Sequence, residues 1–203
     1  MDSAEAAANT LCNPETQVSA HYLIDANGDV LSLVPEGDRA WHAGAGRWGE
    51  VEDVNSRSIG IELANNGFTP FAAAQMDSLT DLLADISQRR GILPERVIGH
   101  SDMAPERKID PGPRFDWQRL ARSGLTVWPD ASVSPGATAD DEAAFVDLMR
   151  RFGYTATDDP ELLLKVLRLR FRPRHEGPRD AHDIAIITDL ATRFPVDDSP
   201  AST

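Results

Sequence analysis

Cysteine is almost absent from this chain of 203 residues, and so are long apolar runs. Cys12 is the single cysteine, so no disulfide can form within the chain. No apolar run is long enough to span a bilayer, which predicts no membrane span. The first residues also lack a basic start followed by an apolar stretch, and this favours a cytoplasmic location.

Positive charge is also scarce. The formal net charge is -13 at neutral pH, and Lys108 and Lys165 are the only lysines. Such an acidic chain repels phosphate backbones, so binding to nucleic acid is not expected. An anionic polymer would likewise have to be held by local contacts rather than by long-range attraction.

The pattern of apolar residues predicts alternating helices and strands in the first 128 residues. The pair Asn27-Gly28 marks a hairpin between two segments rich in strand formers. Ser3 is placed to cap the first helix, and Gly91 is placed to end a long one. The predicted helices cover 3–12, 70–90 and 115–124, and the predicted strands cover 18–25, 29–35, 56–65 and 96–100.

The composition changes after residue 128. Residues 129–139 are rich in Pro, Ser, Gly, Ala and Asp, which is typical of a linker. Apolar stripes then predict a compact three-helix domain over 140–195, followed by a loose tail over 196–203. The three predicted helices cover 141–152, 159–171 and 179–194.

The loop GHSDMAPERKIDPGP, residues 99–113, concentrates groups that could carry chemistry. His100 and Asp110 could meet if the loop folds back, and imidazole with carboxylate is a normal beginning of a zinc site. A hydrogen-bonded pair without metal is the alternative. Lys108 could stabilise an oxyanion beside such a site, or it could be an ordinary solvated lysine.

Three further side chains are candidates outside this loop. Glu62 lies on the polar face of an otherwise apolar strand, where it is either a general base with a raised pKa or an edge residue facing water. His21 and His42 are each a ligand, a substrate contact or a core histidine.

Three blocks of the sequence belong together: VSAHYLIDANGDVLSLVPEGDRAWHAG, NSRSIGIELAN and GHSDMAPERKIDPGPRFDW. In this order and spacing they resemble the zinc-dependent N-acetylmuramoyl-L-alanine amidases of type 2, which are related to phage lysozyme-type amidases and peptidoglycan recognition proteins. The resemblance covers residues 1–128 and implies an α/β fold with a mixed central β-sheet flanked by helices. Residues 140–194 are similar to the small helical peptidoglycan-binding domain that follows the catalytic domain in some of these enzymes.

The resemblance also implies roles for individual residues. His100 and Asp110 match zinc ligands, Glu62 matches the residue that activates the zinc-bound water, and Lys108 matches the basic residue that supports the oxyanion. His42 and Asn55 lie in blocks that line the substrate groove, whereas His21 matches a position that is not a ligand. The implied reaction is zinc-dependent hydrolysis of the amide between N-acetylmuramic acid and L-alanine, in peptidoglycan or in anhydro-muropeptides.

The sequence departs from the family at its beginning. The family's first zinc ligand is a histidine on a strand that would precede Met1, so the first strand is expected to be missing here. A misassigned start, a truncated gene, or substitution by His42 or His21 would each account for this. The alternative function is therefore a non-catalytic peptidoglycan-binding protein. A C-terminal domain that binds the cell wall would favour a periplasmic or wall-associated location over the cytoplasm.

Overall fold

The computed structural model describes residues 3–130 and 141–196. Most of the predicted linker, and the predicted tail beyond residue 196, lie outside the described residues. The described residues form a small mixed sheet with helices on both faces, followed by three further helices. This confirms the predicted α/β class, the mixed sheet and the C-terminal helices.

The sheet has three short strands in the order β2-β1-β3. Strands β1 (Tyr22–Ile24) and β2 (Val30–Ser32) pair antiparallel, whereas β3 (Ile61–Leu63) lies parallel to β1 with Glu62 opposite Leu23. The hairpin turns at Gly28, whose φ of 92° lies in the left-handed region that glycine adopts without strain. Three of the four predicted strands are present, but each is much shorter than its apolar pattern suggests.

Two strand predictions need correction. Residues Val54–Arg57 form a short helix, α2, capped by Asp53, so the strand predicted over 56–65 is right only for its centre. The strand predicted over 96–100 is wrong, because a 3-10 turn at Pro94–Arg96 leads directly into helix α4 (His100–Met103). The carbonyl of Val97 accepts a hydrogen bond from the Arg170 side chain rather than from a neighbouring strand.

Helices cover the two faces of the sheet. Helix α1 (Ala4–Leu11), capped by Ser3 as predicted, packs against Leu23 on one face. Helix α3 (Ala73–Arg90) ends at Gly91 as predicted and packs against Ile24, Ile61 and Leu63 on the other, next to helix α5 (Trp117–Arg122). Because side chains alternate along a strand, Glu62 points to the face of α1 and not into the core beside α3.

The three C-terminal helices are α6 (Glu142–Phe152), α7 (Pro160–Phe171) and α8 (Ala181–Arg193). Their apolar stripes are buried as predicted, and they share one core with Trp48, Met103 and Val127 from the first part of the chain. Among the described residues, no helix combines the length and the apolar character that crossing a membrane requires.

Candidate active site

The loop over residues 99–113 folds back on itself, as its proposed chemistry requires. Helix α4 begins at His100, and the backbone N–H of Ser101 donates to the carbonyl of Asp110 at 2.9 Å. This bond brings Asp110 beside the start of the helix. The His100 Nδ1 atom then lies 3.0 Å from Asp110 Oδ2. The structure therefore places the two predicted zinc ligands side by side.

The other nitrogen of His100 is fixed by the neighbouring loop. His100 Nε2 donates to the carbonyl of Ala43 at 2.7 Å, and the imidazole is only 15% exposed. An imidazole whose outer N–H is held by a carbonyl presents its other nitrogen in a defined direction, which is how metal-binding histidines are usually oriented. Here that nitrogen points at Asp110.

Glu62 belongs to the same electrostatic environment. Burial raises the pKa of Glu62, and the negative charge of Asp110 raises it further, while His100 and Lys108 act in the opposite direction. For Asp110, burial also favours the neutral form, but the hydrogen bond and charge of His100, together with the charge of Lys108, lower its pKa overall. The four groups are thus close enough to influence one another, with Asp110 ionised and Glu62 made a stronger base.

His42 lies against the sheet next to this group. A Cβ atom on Gly60 would overlap the His42 ring, so the glycine allows the imidazole to lie directly on the strand. Burial lowers the pKa of His42 to about 4, and the nearby His21 and His100 lower it as well. The Nε2 atom of His42 is buried without a hydrogen-bond partner.

Asn55, the other predicted substrate-binding residue, is buried. Its side-chain oxygen accepts the backbone N–H groups of His42 and Ala43, at 2.9 and 2.8 Å. The observed contacts of Asn55 therefore hold the backbone beside His100. Direct contact of His42 or Asn55 with a substrate stays a prediction.

His21 is buried within the core. It accepts the Gly60 N–H at Nδ1 and donates from Nε2 to the Asp38 carbonyl, at 2.9 and 3.1 Å. Both ring nitrogens are used, so the neutral imidazole is fully satisfied within the protein. This arrangement agrees with the interpretation of His21 as a core histidine.

Arg107 and Asp102 were not recognised from the sequence as important for this loop. Arg107 donates to the carbonyls of Ala43 and Ala45, and so fastens the segment that also holds His100. Asp102 is buried and ion-paired with Arg170. The carbonyls that Arg107 contacts and the Arg170 partner of Asp102 are distant in sequence, so no local pattern could have revealed these contacts.

The resemblance implies a zinc ion, and the side chains in this region supply some of the ligand types that zinc needs. The separation and orientation of the His100 and Asp110 atoms suit two ligands of one small cation, and the ligand types are those of zinc. A zinc site in a protein needs at least three protein ligands. Within 3–130 and 141–196, no three His, Cys, Asp or Glu side chains are grouped closely enough to hold a metal. The described residues therefore do not make a complete site.

Comparison with known proteins gives a family for this arrangement. The family model described as N-acetylmuramoyl-L-alanine amidase matches residues 1–113, which is more than half of the chain. The amidase AmiD of Escherichia coli is 38% identical over 209 aligned residues, covering 89% of this chain and 76% of AmiD. The 1,6-anhydro-N-acetylmuramyl-L-alanine amidase AmpD of Enterobacter cloacae is 44% identical, covering 58% of this chain and 62% of AmpD.

Solved structures extend the similarity to the C-terminal helices. The complex of E. coli AmiD with anhydro-N-acetylmuramic acid-L-Ala-D-γ-Glu-L-Lys aligns with a TM-score of 0.87 and 36% identity, covering 95% of this chain and 86% of AmiD. AmpDh3 from Pseudomonas aeruginosa, in complex with anhydromuramic pentapeptide, aligns with a TM-score of 0.85 and 30% identity over 95% of this chain and 88% of AmpDh3.

Proposed function

This chain belongs to the N-acetylmuramoyl-L-alanine amidase family, and we propose that it hydrolyses the amide between N-acetylmuramic acid and L-alanine. We further propose anhydro-muropeptides as its substrates, with intact peptidoglycan as the broader possibility. The observation that carries the proposal is Glu62, a partly buried carboxylate with a raised pKa, beside the His100–Asp110 pair. The similarity to AmiD and AmpDh3, whose structures hold anhydromuramic peptides, supports this substrate class.

The residues can be assigned roles in the proposed hydrolysis. Glu62 accepts a proton from the attacking water as its oxygen forms a bond to the amide carbonyl carbon. Lys108 stabilises the negative charge that develops on the carbonyl oxygen. When the carbon–nitrogen bond breaks, Glu62 returns the proton to the leaving amine of L-alanine. The raised pKa of Glu62 suits the first transfer, because it makes this carboxylate a stronger base than an exposed glutamate.

Zinc dependence forms part of the proposal. His100 and Asp110 would act as two of the ligands. The described residues place no third ligand close enough to complete the site. Zinc content should be measured in purified protein by mass spectrometry, for the unchanged chain and for His100→Ala. Loss of bound zinc in the variant would support the ligand role. Equal zinc content in both proteins would exclude it.

A non-catalytic peptidoglycan-binding protein is the second candidate. It is favoured by one observation, the absence of a three-ligand group among the described residues. Glu62 argues against it, because binding alone does not need a base at this position. It also stays a prediction that the C-terminal helices bind the cell wall. The same holds for a cytoplasmic rather than wall-associated location. Cell fractionation would test the location.

The deciding experiment is a hydrolysis assay. The chain is incubated with zinc and anhydro-N-acetylmuramyl tripeptide, and the released L-Ala peptide is measured by chromatography and mass spectrometry. Glu62→Gln should lower the rate by about 100-fold or more, since it removes the base. Glu52→Gln, a change at an exposed residue that pairs with Arg47, is the matched control. Binding of the tripeptide without release of peptide would establish the second candidate instead.

A further inference from the structure

Asp102 is a fully buried carboxylate two residues beyond His100. Its side chain is 1% exposed, and its Oδ2 atom accepts the backbone N–H of Gly99 at 2.8 Å. Gly99 is the N-cap of helix α4, and His100 is the first residue of that helix. The orientation of the Asp102 side chain therefore fixes the backbone from which His100 projects.

Two side chains from the C-terminal helices hold this carboxylate. Tyr154, just after α6, donates its hydroxyl to Asp102 Oδ1 at 2.9 Å. Arg170, in α7, donates from Nη1 to Asp102 Oδ2 at 2.7 Å. A buried carboxylate is costly unless it is paired and hydrogen-bonded, so these two donors stabilise Asp102 in the core.

Arg170 also holds the segment that leads to His100. Its Nη2 atom donates to the carbonyl of Val97 at 3.1 Å and to the Thr126 hydroxyl at 2.7 Å. The guanidinium lies over the Trp117 ring, 4.1 Å from its centroid, a geometry that adds cation–π attraction. The hydrogen bonds at Val97 and at Gly99 therefore restrain both ends of the segment that leads to His100.

The side chain of Tyr154 is also fixed by its neighbours. Its ring packs edge-on against Trp48, with ring centroids 5.0 Å apart, and also contacts Phe152. Burial raises the pKa of Tyr154 well above its ordinary value, and the charge of Asp102 raises it further. The hydroxyl therefore remains a proton donor over the whole pH range in which the protein would be studied.

We propose that Tyr154 and Arg170 are positioning residues that set the orientation of His100, so that the C-terminal helices are part of the catalytic apparatus. The inference rests on the proposed amidase function and extends it beyond the residues that the family resemblance supplies. Without these donors Asp102 loses its anchor, the cap of α4 loosens, and His100 moves relative to Asp110. Small displacements of a reacting or binding group reduce rates strongly.

The two tyrosines of the chain provide a matched test. Tyr154→Phe and Tyr22→Phe each delete one hydroxyl that donates to a carboxylate, Asp102 in the first case and Glu36 in the second. We measure kcat and KM with anhydro-N-acetylmuramyl tripeptide, and separately the NMR signals of the His100 imidazole at one fixed pH. Tyr154→Phe should shift the His100 signals and lower kcat about 10-fold with little change in KM. Tyr22→Phe should do neither.

Arg170→Met and Arg168→Met form a second matched pair. Both residues lie in α7 and are ion-paired to buried aspartates, but Arg168 pairs with Asp183 inside the helical unit. A purely structural role predicts that both variants lose stability and activity together while His100 signals stay unchanged. Unchanged His100 signals in both Tyr154→Phe and Arg170→Met would overturn the proposal. If the unchanged chain hydrolyses nothing, the amidase proposal fails, yet the NMR comparison still decides whether these residues position His100.

Discussion

Burial determines the chemical state of single residues in this protein. His42 lies against the sheet and Glu62 lies within strand β3, and both are partly buried. Burial is the largest cause of the pKa shift of each. Because burial disfavours the charged form, it lowers the pKa of the imidazole and raises that of the carboxylate. At neutral pH His42 is therefore neutral, so its imidazole can donate or accept a hydrogen bond but carries no positive charge.

The lowered pKa of His42 has a consequence for stability. In the unfolded chain the pKa returns to its ordinary 6.5, whereas in the folded protein it is about 4. Between these values the unfolded state binds more protons, so the free energy of unfolding falls as the pH falls, by at most about 3 kcal/mol from this group.

Urea unfolding at about pH 7 and about pH 4.5 tests this prediction. His42→Gln cannot take up the proton, so its free energy of unfolding should fall less on acidification than that of the unchanged chain. His182→Gln, at an exposed position in the first turn of α8, should retain the full dependence. An equal dependence in all three proteins would show that His42 does not titrate as proposed.

At the scale of secondary-structure elements, the residues at the end of a helix determine where the helix stops. Helix α3 ends at Gly91 with a φ of 66°, and the N–H of Gly91 donates to the carbonyl of Ser87. Space is not limiting, because a Cβ atom at Gly91 would meet nothing within 4 Å. The glycine is needed there only for its backbone conformation.

Gly91→Ala should therefore lower the free energy of unfolding by about 1 kcal/mol, the cost of a left-handed conformation for a residue with a Cβ atom. Gly37→Ala is the matched control, since its surroundings are equally open and its φ lies outside the left-handed region. The control should change stability by no more than about 0.5 kcal/mol. Urea unfolding measures both, and equal losses would mean that the backbone conformation at Gly91 is not the cause.

At the scale of the whole molecule, the helical unit and the sheet-containing part share one core. Trp48 packs edge-on against Phe152 and Tyr154, and Gly49 donates its N–H to the Gly153 carbonyl. The buried Asp102–Arg170 pair crosses the same boundary. Two parts joined by such contacts should unfold together, because neither keeps its core when the other is lost.

We expect one unfolding transition, with coincident urea curves from tryptophan fluorescence and far-UV circular dichroism. Gly153→Ala should move both curves together to lower urea, because its Cβ atom would lie 2.5 Å from the Trp48 ring. Gly177→Ala, which also has a positive φ but open surroundings, should cost less. Separate transitions for the two probes would show that the two parts are independent in stability.

The sequence by itself determined the class of fold, the identity of the candidate residues and the helices other than the four-residue α2 and α4. Helical periodicity is local information, and the stripes of α3, α6, α7 and α8 are buried as their spacing predicts. Helix caps such as Ser3 and Gly91 can also be predicted from the sequence, since each cap and the backbone groups that it hydrogen-bonds lie within about one turn. The loop containing His100 and Asp110 could be recognised because both residues belong to one short segment.

Only the tertiary structure decided where strands end, which histidine is internal and what supports the site. Residues 97–99 have the composition of a strand, but a strand needs a partner, and here Arg170 takes the Val97 carbonyl instead. His21 and His42 look alike in sequence, yet only His21 has both nitrogens satisfied. Asp102 meets Tyr154 and Arg170 across 52 and 68 residues of chain. Contacts at such separations arise from the packing of distant elements, so no local pattern specifies them.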